Sequence, residues 1–230
     1  MIRPVKTYDE CRTFATSFQG DPSFSAPMLS SEEQVQCNLV RPIGNPDRYC
    51  VFGVYCEETL TGLFAFLVIR DEQYAEMLVG LSREKAAYSE ALQYLEQHFP
   101  GYGVDFVFNP GNCLLREQLN TRKADFEPEQ QKMVLEAPAP DMDTTGIVPL
   151  SDQYAEQYCA IHNKDMYWTG EKVMQAQDRF HTFLAIRDGR VVGYIDVTCT
   201  FKENEPFDLL VLEEYRRMGY GRKLLAKALG

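Results

Sequence analysis

Arg216, Gly219 and Gly221 stand at Arg-x-x-Gly-x-Gly spacing, between the apolar run Asp208-Leu-Leu-Val-Leu212 and the amphipathic run Arg222-Lys-Leu-Leu-Ala-Lys-Ala-Leu229. Glycines let a backbone come close to a ligand, and the free N–H groups of a helix start attract phosphate oxygens. Arg216, Arg217, Arg222 and Lys223 gather positive charge around the same turn. Strand, acidic turn, basic residues and helix together point to a ligand that carries a pyrophosphate. A lone Gly-x-Gly would not.

The run resembles motif A of the GNAT superfamily of acyl-CoA-dependent N-acyltransferases, whose usual form is an apolar Val, a turn, then Arg or Gln-x-x-Gly-x-Gly or Ala. The resemblance covers 147–230 and, as a faint shadow, 1–137. It implies acetyl-CoA as co-substrate, lying between two splayed strands, and no metal. Leu209, Leu210 and Val211 match the strand positions whose backbone holds the pantetheine arm and thioester carbonyl. Arg216, Arg217, Met218, Gly219, Tyr220, Gly221 and Arg222 match the pyrophosphate turn. The implied activity is transfer of an acetyl group to a primary amine, on a small molecule or a peptide. The alternative is a non-catalytic acyl-CoA-binding sensor or pseudoenzyme.

Attack by an amine needs a general base to take the ammonium proton. Asp208 and Asp196 are the candidates, because each carboxylate lies in an otherwise apolar strand, where it is costly without a reason. Alternation puts Tyr194, Asp196 and Thr198 on one polar face, which a solvated strand would equally explain. Glu205 is a more exposed third choice. The resemblance places the usual general-acid tyrosine on a helix after motif A, so no tyrosine here takes that role. His98, His162 and His181 are too few and too separated for a metal site, and capping or surface positions suit them. Tyr167-Trp168-Thr169-Gly170 falls where the family has its acceptor-binding loop, so its aromatic pair would shape an acceptor pocket or simply pack over the cleft.

The elements that must position these groups occur twice. Ala137-Pro-Ala-Pro-Asp-Met-Asp-Thr-Thr-Gly146 has no apolar periodicity, so 138–146 reads as a linker between lobes at 1–137 and 147–230. In the second lobe Ser151 caps a helix bearing Tyr154, Tyr158 and Ile161 on one face, and a helical piece follows near 170–179. Strands at 181–187 and 191–198 meet at the turn Asp188-Gly189. The first lobe repeats the order: a helix over 8–18, a second capped by Ser31 with Gln34, a hairpin turning at Glu57-Glu58, a strand at 76–79 and a helix ending at Pro100-Gly101. The fold class is α/β (α+β), each lobe a mixed, mostly antiparallel twisted sheet flanked by helices.

Laying Glu76-Met-Leu-Val79 on Asp208-Leu-Leu-Val211 puts Glu84 opposite Arg216, Ala87 opposite Gly219 and Ser89 opposite Gly221. That substitution pattern would abolish phosphate binding in a degenerate first lobe. The first lobe then continues through a strand at 103–108, a helix at 109–119 and a strand at 129–135. The second ends after its motif helix, and is expected to lack its last strand, helix and hairpin.

Composition bounds the rest. The net charge of −11 opposes general nucleic-acid binding, because phosphate repulsion acts everywhere except the basic turn. No apolar stretch is long enough for a membrane helix. Seven cysteines without a Cys-x-x-Cys read as small core residues in a reducing cytoplasm. The sequence leaves room for a homo-oligomer.

Overall fold

The structure, a computed structural model, describes residues 1–24, 29, 31–129, 141–199 and 205–230. The chain divides into two compact units, Met1–Gln130 and Gln131–Gly230. The first runs β1 (Ile2–Pro4), α1 (Arg12–Thr16), α2 (Glu32–Val35), α3 (Arg41–Ile43), β2 (Tyr49–Cys56), β3 (Thr59–Ile69), β4 (Tyr74–Ser82), α4 (Lys85–His98), β5 (Gly103–Phe106) and α5 (Cys113–Thr121). Its sheet has the order β1-β2-β3-β4-β5, antiparallel except for the parallel β4–β5 pair. The unbroken apolar run of β3 is explained by cover on both faces. Phe64, Phe66 and Val68 pack with Tyr88 and Leu92 of α4 and Leu115 of α5, while Leu63 and Ala65 pack with Cys11, Ala15 and Leu39.

The second unit runs β6 (Ile147–Pro149), α6 (Ala155–Ile161), α7 (Gly170–Gln175), β7 (Phe180–Arg187), β8 (Arg190–Thr198), β9 (Glu205–Val211) and α8 (Tyr220–Leu229). Its sheet, β6-β7-β8-β9, is antiparallel throughout. Leu224 and Ala228 of α8 pack on Val192, Ile195 and Val197, and the opposite face packs Tyr158 and Val173 on Leu184 and Tyr194. Two mixed α/β lobes of like element order are therefore what the chain forms.

Local signals account for the joints. Asp188 and Gly189 both take positive φ, 52° and 78°, the turn that matches strand twist. Ser31 Oγ accepts the Gln34 N–H, and Asn112 Oδ1 the Leu115 N–H. The helix expected over 8–18 is a single turn at Tyr8–Glu10 followed by the short α1. The strand expected at 129–135 lies almost wholly outside the described residues. All seven cysteines are free, but only Cys11 is buried, where burial, then the Glu10 charge, pushes its thiol up to about 11. Cys56 and Cys113 are exposed, contrary to a core role.

The strand registers correct the alignment of the two lobes. Gly62 pairs with Ser82, and Gly193, which stands equally far beyond its own hairpin turn, pairs with Val211. β4 and β9 also bulge four residues earlier, at Leu78 and at Phe207. Ser82, and not Val79, thus stands where Val211 stands. From Ser82 to the helix start at Lys85 is three positions, and from Val211 to Tyr220 is nine. Glu84 does not replace Arg216; the whole turn is missing from the first lobe. In its place Ser82 Oγ accepts the Glu84 N–H at 2.9 Å and donates to the Thr61 carbonyl at 2.7 Å, closing the mouth of α4.

Candidate active site

β8 and β9 hold Asp196 and Asp208 directly opposite each other. Tyr194 shares their face, since side chains alternate along a strand, and its hydroxyl donates to Asp208 Oδ2 at 2.6 Å. Asp196 is 0% exposed. Its carboxylate accepts from Thr182 Oγ1 of β7 at 2.6 Å, from the Tyr158 hydroxyl of α6 at 2.9 and 3.0 Å, and from His162 Nε2 at 2.9 Å. Burial first, then the neighbouring carboxylates, raise both Tyr158 and Tyr194 well above the ordinary phenol range, so both hydroxyls stay donors.

His162 is the C-cap residue of α6, a capping position as expected, but its side chain is 1% exposed and so not at the surface. Its ring lies on Tyr194 with centroids 4.8 Å apart and planes at 14°. Nδ1 is 2.9 Å from the Asn163 carbonyl, and Nε2 is 4.0 Å from Asp208 Oδ2 as well as bonded to Asp196. A carbonyl only accepts, so Nδ1 carries hydrogen; with Asp196 ionised Nε2 carries one too, and the ring is then an imidazolium. Burial opposes that charge, but the Asp196 bond, the Asn163 carbonyl and the two carboxylate charges outweigh it and raise His162 above 6.5. One ligand-type atom from each of His162, Asp196 and Asp208 lies within 4.8 Å of the others. The overlooked signal was the i, i+4 spacing of Tyr158 and His162, which aims both at β8.

The raised His162 fixes a sign for stability. A cation favoured by the fold contributes fully below the unfolded value near 6.5 and loses that contribution as pH rises through its folded value. The thermal midpoint of the second unit is therefore expected to fall as pH climbs above neutrality, with a smaller fall in His162→Gln. A midpoint that rises over that range would contradict a charged ring.

Asp208 differs from Asp196 in access: its side chain is 18% exposed. The bulge at Phe207 turns it toward the rim, and Phe207 itself is 38% exposed. The Phe207 ring lies 5.7 Å from Phe180, which lies 5.0 Å from Trp168, which meets Tyr167 at 5.3 Å. The aromatic loop expected at 167–168 thus forms a wall that ends one residue before Asp208.

Beyond Asp208 the strand becomes an open edge. β9 is the last strand of its sheet among the described residues. The Leu212 N–H donates to Val192 at 2.9 Å. Alternation then turns the Val211 and Leu209 N–H groups outward, while Leu210 faces β8. Arg216 Nε bonds the Val211 carbonyl at 3.1 Å. Arg217 and Gly219 take φ of 63° and 90°, a left-handed pair that makes a concave backbone turn before α8. For Arg217 that conformation costs on the order of 1 kcal/mol, a strain often found at ligand sites. Gly219 caps α8 without any side-chain bond, leaving the first-turn N–H groups of Tyr220, Gly221 and Arg222 uncapped. A Cβ on Gly219 would meet nothing within 4 Å, so the ground before the turn is open. Lys223 does not join it: its ammonium bonds Asp143 at 2.8 Å, and that bond first, with others to Thr145, holds Asp143 far below the usual carboxylate range.

The first lobe is an internal control. Its ladder places Val51, Leu63, Ala65 and Val79 where the second has Thr182, Tyr194, Asp196 and Asp208, and all four lie in one apolar core. This architecture accepts an apolar filling there. Burying polar groups instead costs free energy, which in the second lobe their hydrogen bonds to one another offset.

Residues 178–230 match the family model of the acetyltransferase (GNAT) domain. No curated protein gives a significant match. Among solved structures, a Drosophila protein aligns over 99% of this chain and 83% of its own at 15% identity and a TM-score of 0.59, which shows a common fold. A tandem GNAT protein from the clavulanic acid biosynthesis pathway aligns over 100% of this chain and 84% of its own, at 11% identity and a TM-score of 0.49. AAC(6')-Iy, in complex with the bisubstrate analogue CoA-S-monomethyl-acetylneamine, aligns over 36% of this chain and 67% of its own, at 22% identity and a TM-score of 0.29. With the motif turn intact in its second lobe and missing from its first, the chain carries its match to the acetyltransferase (GNAT) domain in the second lobe, at residues 178–230.

Proposed function

We propose that this protein transfers an acetyl group from acetyl-CoA to a primary amine, with all the chemistry in the second lobe. The observation that carries the reading is the order along one stretch of backbone: a rim carboxylate at Asp208, outward N–H groups at Leu209 and Val211, then a cationic turn opening an uncapped helix. Arg217, Met218, Gly219, Tyr220, Gly221 and Arg222 would hold the pyrophosphate, with Arg216 at the strand end beside it. The thioester would lie along the β9 edge, where an outward N–H stabilises the oxyanion of a tetrahedral intermediate. Asp208 takes the ammonium proton; the amine nitrogen then bonds the carbonyl carbon, the C–S bond breaks, and the proton that the nitrogen must still shed to become an amide goes to the departing thiolate. Asp196 is closed in by three donors and cannot reach an acceptor, so it serves by holding His162. Most remaining acceleration comes from bringing amine and thioester together.

The test is thiol release from acetyl-CoA over a panel of primary amines, small and peptidic. At least one amine should drive release well above hydrolysis. Tight acetyl-CoA binding by calorimetry with no release across the panel would replace this reading with that of an acyl-CoA sensor.

A further inference from the structure

We infer that His162 is a positioning residue for the proton transfer: its buried cation lets Asp208 and Asp196 be ionised together, and so keeps Asp208 able to act as a base. The inference rests on the acetyltransferase reading only for the consequence in turnover. The charge arrangement itself is a matter of geometry.

Two carboxylates paired across a ladder, with oxygens inside 4.8 Å, repel each other. Such a pair ordinarily shares a proton, and one member has its pKa strongly raised. Thr182 and Tyr158 donate to Asp196 and His162 Nε2 stands 2.9 Å from it, so this buried carboxylate is set up as an acceptor on every side. The burden of protonation would then fall on Asp208, the member at the rim. His162 removes it: one cation stands 2.9 Å from Asp196 and 4.0 Å from Asp208. The other groups facing the ring are the neutral phenols Tyr158 and Tyr194, and the charge of the exposed Glu171 on α7 acts at longer range. The Gly170 backbone of α7 closes over the ring, where an added Cβ would stand 3.1 Å from His162 Cβ. Among its described residues the first lobe carries neither acid and no such cation there, only Ala65 and Val79 at the matching pair. Anions and counter-cation are present together or not at all.

His162→Gln tests this, because its amide can still donate to Asp196 but carries no charge. The carboxyl carbon of Asp208, followed by NMR, should titrate about 1 to 2 pH units higher in the variant. The acid limb of kcat/KM should move up by the same amount. The double variant His162→Gln/Asp196→Asn removes cation and buried anion together, and its amides can pair; it should bring Asp208 back toward its original titration. A purely structural role for His162 predicts no such return. Should the single variant fail to fold, the ¹⁵N shifts of the wild-type ring decide, and a neutral tautomer at pH 7 would overturn the inference. An unmoved Asp208 titration in His162→Gln would overturn it too. Should no amine prove a substrate, the acetyltransferase reading fails, while the NMR titrations still test the charge arrangement.

Discussion

Asp208→Asn is expected to lower kcat/KM for acetyl transfer by about 10²- to 10⁴-fold, the usual range for loss of a positioned general base. The substitution is nearly isosteric. Its amide oxygen can still accept the Tyr194 hydroxyl, which now donates to Asp208 Oδ2 at 2.6 Å, so folding should be preserved. Acetyl-CoA affinity should hardly change, because the turn that would bind it begins beyond the strand. Steady-state kinetics beside calorimetry make the separation. Turnover within tenfold of the parent would show that the proton leaves by another route, and Asp208 would lose its role. Asp196→Asn alone is a different experiment. It strips a buried imidazolium of its partner, and breaking a buried pair costs about 3–5 kcal/mol in stability.

Much of this was legible in the residues, and the reasons differ by feature. Motif A was legible because a phosphate turn needs a particular backbone, and only glycine at 219 takes φ of 90° without strain. The hairpin at Asp188-Gly189 was legible for the same reason. The pair Asp196 and Asp208 drew notice as charges inside apolar strands, but their unequal roles were hidden. Burial separates them, and burial depends on which helix covers which end of the strand. His162 was misjudged because a lone histidine near a helix end has many ordinary uses. Its meaning comes from Asp196, thirty-four residues away, a contact no local pattern encodes.

The duplication shows another limit. Apolar residues at Met77, Leu78 and Val79 match Leu209, Leu210 and Val211 in type, so the sequence aligned them without a gap. Hydrogen-bond register and the bulges at Leu78 and Phe207 shift the match by three residues. Six residues between Val211 and the helix start at Tyr220 then have no counterpart, and the cationic turn before that helix falls among them. Register is set by pairing with a neighbouring strand, and a one-dimensional comparison of apolar runs does not contain that information.

Gly221→Glu is expected to weaken acetyl-CoA binding about 100-fold or more, equivalent to roughly 2.7 kcal/mol, without unfolding the lobe. A Cβ at 221 would meet only the side chains of Leu209 and Val211, each at 3.8 Å, which is ordinary contact. The residue is already helical and its φ is not positive, so no backbone strain arises. Gly219 makes a poorer test, since any side chain there is strained at φ of 90° whatever the ligand does. What the new carboxylate adds is a negative charge among the uncapped N–H groups of a helix start, against a pyrophosphate that needs those groups. Gly221→Ala should bind more tightly than Gly221→Glu while matching it in stability, which isolates charge from bulk. Glu84→Lys in the first lobe is the control. It supplies the missing positive charge at α4, but the turn is absent there and Ser82 already occupies the Glu84 N–H. Acetyl-CoA affinity should stay unchanged, and calorimetry showing a second binding event in that variant would mean the first lobe had kept a phosphate site after all.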